Sequence, residues 1–275
     1  MITLQGRTAL VTGSTQGVGS AIARWLAKAG ATVIVHGLLD DEHAKQTVKA
    51  CREFSPGSKL VCFDLLRPVS EIIAQFARPL IAEHPKLSIV VSNAGIYIDP
   101  SFTDVCESNF DRTMHLNVKV GYFLAQEFSK HWISNGIDGR LLFTGSINGL
   151  LSESAHSVYD TSKGAIAAMV RSLCVELAQK RIRVNSLAPG LVRTPLTNQI
   201  LSADQVALDW MKLHTPSGQV PEADVCGPLA AFLVSDLAEH IHGQTIYIDG
   251  GMSAWQQPDV PNDFRAWRKN LPKEF

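Results

Sequence analysis

Short runs of β-branched and apolar residues recur along the 275-residue chain, each separated from the next by a stretch of helical periodicity. Thr8-Ala9-Leu10-Val11 reads as a buried strand. From Val18 to Ala29 the residues Val18, Ala21, Ile22, Trp25, Leu26 and Ala29 then fall on one helical face. Gly30 stops that helix before a second strand, Thr32-Val33-Ile34-Val35. Further strands are predicted over Lys59–Phe63, Ser88–Val91, Arg140–Thr144, Arg183–Leu187 and Gln244–Ile248, with helical segments between them, notably Phe110–Ser134 and Ser157–Gln179. Strands apolar along their length and separated by helices imply an α/β architecture, a parallel sheet covered on both faces. Right-handed crossovers make it doubly wound and seven-stranded, with ligands outside the carboxyl ends of the strands.

Charge removes several function classes. Lys and Arg number 25 against 26 Asp and Glu, a net charge of −1, so no basic footprint for nucleic acid or for an anionic membrane is present. The five cysteines, Cys51, Cys62, Cys106, Cys174 and Cys226, form no C-x-x-C pair, and His240 and His242 have no evident third ligand; no metal is expected. Met1 to Gly6 lacks the basic and apolar regions of a signal peptide, and no apolar run approaches the roughly 18 residues that span a bilayer. The expected setting is cytoplasmic.

The turn after the first strand is rich in glycine: Thr12-Gly13-Ser14-Thr15-Gln16-Gly17-Val18-Gly19, leading directly into a helix. Such glycines let the backbone turn sharply and approach a pyrophosphate at the positive helix N-terminus, so dinucleotide binding is expected. An acidic residue at the end of the second strand would grip the adenosine ribose. That stretch reads Val35-His36-Gly37-Leu38-Leu39-Asp40-Asp41, with Gly37 at the equivalent position. No carboxylate stands there to repel a 2′-phosphate, and His36 is the one nearby group to attract it; NAD(P) is expected, with NADP(H) slightly favoured.

Tyr159 and Lys163 stand four apart in a helical segment and project from nearly the same face. A free phenol has a pKa of about 10 and is a poor base at neutral pH. A neighbouring ammonium favours the phenolate and makes proton exchange feasible. Ser146, just after the fifth strand, is placed to hydrogen-bond a substrate oxygen. Taken alone, a Tyr-x-x-x-Lys pair is common on solvated helices; beside the glycine turn it points to hydride and proton transfer.

Thr12-Gly13-x-x-x-Gly17-x-Gly19, Asn93-Ala94-Gly95, Asn117, Ser146 with Tyr159-x-x-x-Lys163, Pro189-Gly190 with Thr194, and Asp249-Gly250-Gly251 follow one another in a familiar order. From about Leu4 to Met252 the chain resembles the short-chain dehydrogenases/reductases of the ordinary-length, single-domain branch. The resemblance implies one Rossmann-fold domain over residues 1–252 and an extension over 253–275. It implies an NAD(P)-dependent oxidoreductase acting on a small-molecule carbonyl or alcohol. Tyr159 would be the general acid in reduction and base in oxidation. Lys163 would bind the nicotinamide ribose and lower the phenol pKa, Ser146 would orient the substrate oxygen, and Asn117 would hold a proton-relay water. Cofactor contacts would come from Gly13, Gln16, Gly17, Val18, Gly19, Asp64, Leu65, Asn93, Ala94, Gly95, Tyr159, Lys163, Pro189, Gly190, Val192 and Thr194. Among these, Asp64 meets the adenine and the Pro189 loop the carboxamide. Departures are the missing cofactor signature at Gly37 and Gln219 where the family commonly has Arg.

Tyr97, Asn148, Glu153 and His156 are candidate pocket residues, suiting a sugar, polyol or hydroxy compound. Ile200, Leu201, Trp210 and Met211 would equally suit an apolar lid over an acyl chain. The extension carries Trp255, Phe264, Trp267 and Phe275 and is expected to pack on a neighbouring subunit or over the site mouth. The resemblance suggests a homo-oligomer, tetramer or dimer. The alternatives are a 3-oxoacyl-thioester reductase and a dinucleotide-binding sensor without turnover.

Overall fold

A computed structural model of the chain describes residues 1–98, 100–195, 197 and 205–255. Seven strands form one parallel sheet: β1 (Thr8–Val11), β2 (Thr32–Gly37), β3 (Lys59–Cys62), β4 (Leu87–Ser92), β5 (Gly139–Thr144), β6 (Ile182–Pro189) and β7 (Thr245–Ile248). Their order is β3-β2-β1-β4-β5-β6-β7. The register aligns Val11 with both Val35 and Val91, so β1 lies between β2 and β4, where the winding reverses. Each expected strand is present, with ends that differ by at most two residues.

Burial on both faces explains the uninterrupted apolar runs. Ala9, Val11, Val33, Val35, Ile89 and Val91 point to one layer, packed by Ile22 and Leu26 of α1 (Gly17–Lys28) and by Ala230 and Leu233 of α9 (Cys226–Val234). Their neighbours Leu10, Ile34, Val90, Leu141 and Phe143 point to the other layer. There they meet Leu124, Phe128 and Trp132 of α6 (Val120–Asn135) and Ile166 and Val170 of α7 (Ser157–Leu177). The remaining helices are α2 (Glu42–Phe54), α3 (Val69–Ile72), α4 (Arg78–Glu83), α5 (Glu107–Met114) and α8 (Gln205–Leu213).

The segment expected as one helix from Phe110 to Ser134 is interrupted. A π-turn, His115–Lys119, separates α5 from α6. It contains the buried Asn117, whose amide pairs with both main-chain groups of Ile96, a tertiary demand that hydrophobic periodicity does not carry. The strands also hold charge. Arg140 and Arg183 are buried cross-strand partners. Asp236 accepts from Arg140 at 3.1 Å, and Arg183 donates to the carbonyls of Leu233 and Ser235.

Trp132 is fully buried, and its indole N–H donates to the Leu87 carbonyl at 2.6 Å. A Cβ on Gly139, at the start of β5, would lie 2.1 Å from its ring. Gly139→Ala is therefore expected to cost about 1–3 kcal/mol through overpacking, read as a lower urea midpoint at unchanged m-value.

Candidate active site at the carboxyl edge of the sheet

The carboxyl ends of β1, β4, β5 and β6 bring most of the candidate residues to one edge. Gly13 and Gly17 adopt φ of +59° and +56°, a region that L side chains rarely occupy. Gly13 and Gly19 are also required by packing: a Cβ would lie 2.8 Å from Ala94 Cα at the first and 2.3 Å from the Gly13 carbonyl oxygen at the second. Gly17 faces Thr194 of the loop after β6, 3.5 Å from where its Cβ would be. It opens α1, where Gln16 makes no side-chain cap and the first turn carries no acidic residue. This uncompensated positive helix end, beside two positions, Gly13 and Gly19, where no Cβ fits, suits an anionic pyrophosphate.

Asn93 ties this loop to the catalytic candidates. Its amide donates to the carbonyls of Thr12 (3.1 Å) and Gly13 (2.9 Å), and its own oxygen accepts from the Thr144 hydroxyl at 3.0 Å. The Lys163 ammonium in turn donates to the Thr144 carbonyl at 2.9 Å. Lys163 is buried, and desolvation lowers its pKa to about 8. Its nitrogen lies 5.4 Å from the Tyr159 ring centroid. Tyr97 meets the Tyr159 ring edge-on at 5.5 Å, and His156 lies 4.8 Å from Tyr97. Thr144 was not singled out from sequence, and Thr12 only as the first residue of the glycine motif; each immediately precedes a glycine at a strand end, a position that could have flagged both.

Ser146 caps a short 3-10 turn, Ile147–Gly149, its hydroxyl oxygen accepting from the Asn148 N–H. The Asn117 amide donates to the Ile96 carbonyl and to the Ser162 hydroxyl, each at 3.0 Å, while its oxygen accepts from the Ile96 N–H. Ser162 then donates to the Tyr159 carbonyl. Gly95 lies against Asn117, and Val18 packs into the α1 layer. The N–H of Gly190 donates to the Ile248 carbonyl, and Val192 is buried. Asp64 is exposed beyond β3, its carboxylate accepting from the Leu66 N–H, with Leu65 buried beside it.

One expectation is overturned. His36 is buried under the glycine loop, where its Nδ1 accepts from the Gly13 N–H and its Nε2 donates to the Phe63 carbonyl. Burial lowers its pKa to about 4, so it is a neutral strut and not a cation for a 2′-phosphate.

A cleft of about 490 Å³ opens at Ile147 and Asn148, the residues that follow Ser146, and is lined also by Glu153, His156, Trp210, His214 and Trp255. Met211 instead packs with Leu208 and Val220. Ile200, Leu201, Phe264, Trp267 and Phe275 lie outside the described residues. Among the described residues no metal-ligand cluster occurs, and no helix is long and apolar enough to cross a membrane.

The His36 environment makes a sign-definite prediction. The unfolded chain protonates this imidazole near pH 6.5 and the folded one only near 4, so its contribution to stability falls as pH drops through that window. The difference is on the order of 3 kcal/mol. His36→Asn, which keeps an acceptor for Gly13, is expected to lose less stability between pH 7 and 4.5 than the native chain. Equal slopes in chemical denaturation would contradict the neutral strut.

The family described as Enoyl-(Acyl carrier protein) reductase matches residues 13–253. L-rhamnose 1-dehydrogenase (NADP(+)) of Thermoplasma acidophilum is 32% identical over 254 residues, covering 92% of this chain and 98% of that protein. The 3-oxoacyl-(acyl-carrier-protein) reductase FabG of Rickettsia felis is 34% identical over 252 residues, covering 92% and 99%. The crystal structure of a gluconate 5-dehydrogenase from Burkholderia cenocepacia in complex with NADP and tartrate superposes with a TM-score of 0.85 at 29% identity, covering 93% of this chain and 98% of that one. A short-chain type dehydrogenase/reductase from Mycobacterium marinum gives 0.82 at 27%, covering 91% and 97%. With its parallel sheet, glycine loop and Tyr-x-x-x-Lys helix, the chain belongs to the short-chain dehydrogenase/reductase family of oxidoreductases.

Proposed function

We propose that the protein interconverts a carbonyl and a secondary alcohol with NAD(P), using Tyr159, Lys163, Ser146 and Asn117. The observation that carries this reading is the placement of the buried Lys163 ammonium beside Tyr159 and, through Thr144 and Asn93, in one hydrogen-bonded frame with the glycine loop. A bound nicotinamide supplies the hydride acceptor or donor. The Tyr159 phenolate takes the alcohol proton in oxidation, and the phenol returns it in reduction. A lysine with a pKa near 8 still carries its proton at pH 7, so its charge favours the phenolate. Ser146 donates to the substrate oxygen. Asn117, in a π-turn of the kind that recurs at functional sites, holds the relay water.

NADP(H) is the preferred form. Gly37 leaves no carboxylate against a 2′-phosphate, and both the named rhamnose dehydrogenase and the gluconate 5-dehydrogenase complex involve NADP. The substrate class is a sugar, polyol or other hydroxy compound: Asn148, Glu153 and His156 offer polar contacts, and Trp210 and Trp255 offer apolar faces to a ring. The FabG relative favours a 3-oxoacyl thioester as second reading, yet the cleft has no Lys or Arg among its described lining to meet an acidic carrier. Retention of both Tyr159 and Lys163 argues against a sensor without turnover. Residues 1–252 would form one catalytic domain and 253–275 a C-terminal extension, in a homo-oligomer (tetramer or dimer). Five free cysteines fit a cytoplasmic setting.

The test follows NAD(P)H absorbance over L-rhamnose, D-glucose, gluconate, a cyclic ketone and an acetoacetyl thioester with both coenzymes. Tyr159→Phe is expected to lose at least ~10² in kcat by removing the proton donor; near-native turnover would refute the assigned chemistry.

A further inference from the structure

Asp160 follows Tyr159 in the first turn of α7. One carboxylate oxygen accepts from the Asn148 amide at 2.9 Å, and the other accepts from the Glu153 N–H at 3.3 Å. Asn148 in turn holds Ser146 from two sides. Its main-chain N–H donates to the serine oxygen at 3.2 Å, and its side-chain oxygen accepts from the serine hydroxyl at 3.3 Å.

The chemistry of the three groups makes this chain directional. An amide presents an oxygen and an NH₂ of nearly equal shape, so its orientation is set by its partners. A carboxylate only accepts, so it draws the NH₂ of Asn148 toward itself and turns the amide oxygen toward Ser146. Of the bonds that Asn148 makes, the one to the carboxylate is the short one, at 2.9 Å, and the two to Ser146 are long. The serine hydroxyl is thus aimed but weakly held, and its proton can leave Asn148 for a substrate oxygen at little cost.

We propose that Asp160 is a positioning residue. Acting through Asn148, it fixes the rotamer of Ser146 and the spacing between that hydroxyl and the helix that carries Tyr159. This clamp rests on the roles assigned above to Ser146 and Tyr159. Its value is geometric. The two groups that meet one substrate oxygen come from different segments, and a displacement of about 1 Å between them can cost as much as ~10² in rate. Asp160, adjacent to one of them in sequence and bonded toward the other in space, sets that distance.

Kinetics and resonance shifts test the clamp on the full chain. Rates are measured with NADP(H) and the best-used compound of the panel. Asp160→Asn is expected to lower kcat about tenfold while leaving substrate KM and coenzyme Kd within about twofold; Asn148→Ala, which also removes a cleft contact, is expected to lower kcat by about as much and to raise substrate KM. The double variant Asn148→Ala/Asp160→Asn is expected to be no slower than the single ones, because both break the same path to Ser146. A purely structural role for Asp160 would lower thermal stability without this kcat-against-KM split. Multiplicative losses, or a native kcat in Asp160→Asn, overturn the proposal. A second readout needs no turnover. In isotope-labelled protein, Asp160→Asn is expected to move the side-chain NH₂ resonances of Asn148, and unmoved resonances refute the clamp. If the native chain turns over no compound of the panel, the carbonyl–alcohol reading falls, and these resonances alone decide whether Asp160 orients Asn148.

Discussion

The buried ammonium of Lys163 is the constraint on which the site depends. A charge removed from water is costly unless its surroundings compensate it, and here the main-chain carbonyl of Thr144 accepts its hydrogen bond. That carbonyl sits at the end of β5, one residue before Gly145 and two before Ser146. The Thr144 side chain reaches sideways to Asn93 at the end of β4, and Asn93 reaches the turn after β1. The ends of three neighbouring strands are therefore joined by polar bonds at the edge where the sheet's winding reverses. The cost of burying the lysine is visible in its lowered pKa, and the burial holds a cation near the Tyr159 ring.

The opposite half of the edge is organised by a neutral group. His36 supports the glycine turn from below, accepting from Gly13 and donating to Phe63, while the Ser14 hydroxyl bonds the main chain of both His36 and Val11. Rigidity in this turn comes from the buried side chains of Ser14, within the turn, and His36 of β2. A backbone-lined concavity at a helix N-terminus recognises phosphate without a positively charged side chain. At Gly37 the Thr15 side chain crowds in so closely that a Cβ would lie 2.3 Å from its methyl group.

Much of this was legible in the chain, and the reason is local. Thr8 to Val11, Thr32 to Val35 and their counterparts announce strands because residues on both faces are buried. The glycine turn announces itself because φ at Gly13 and Gly17 and the tight approach of Ala94 forbid larger residues. Tyr159 and Lys163 are read from a spacing of four. The π-turn at Asn117, the buried Arg140 and Arg183, and the bond from Asp64 back to Leu66 were not legible. Each depends on partners that the sequence does not place nearby, or on a choice between a local turn and a ligand contact that only coordinates present.

Order and spacing along the chain were thus enough to determine the parallel layering, the glycine turn at the start of α1 and the candidate trio Ser146, Tyr159 and Lys163, because each is encoded within one or two adjacent elements. Tertiary structure alone decided that His36 is a neutral strut, that Asn93 and Thr144 couple the loop to the lysine, and that Asp160 reaches Ser146 through Asn148. Those outcomes depend on desolvation and on hydrogen-bond direction, and neither exists until folding brings distant residues together and removes the water between them.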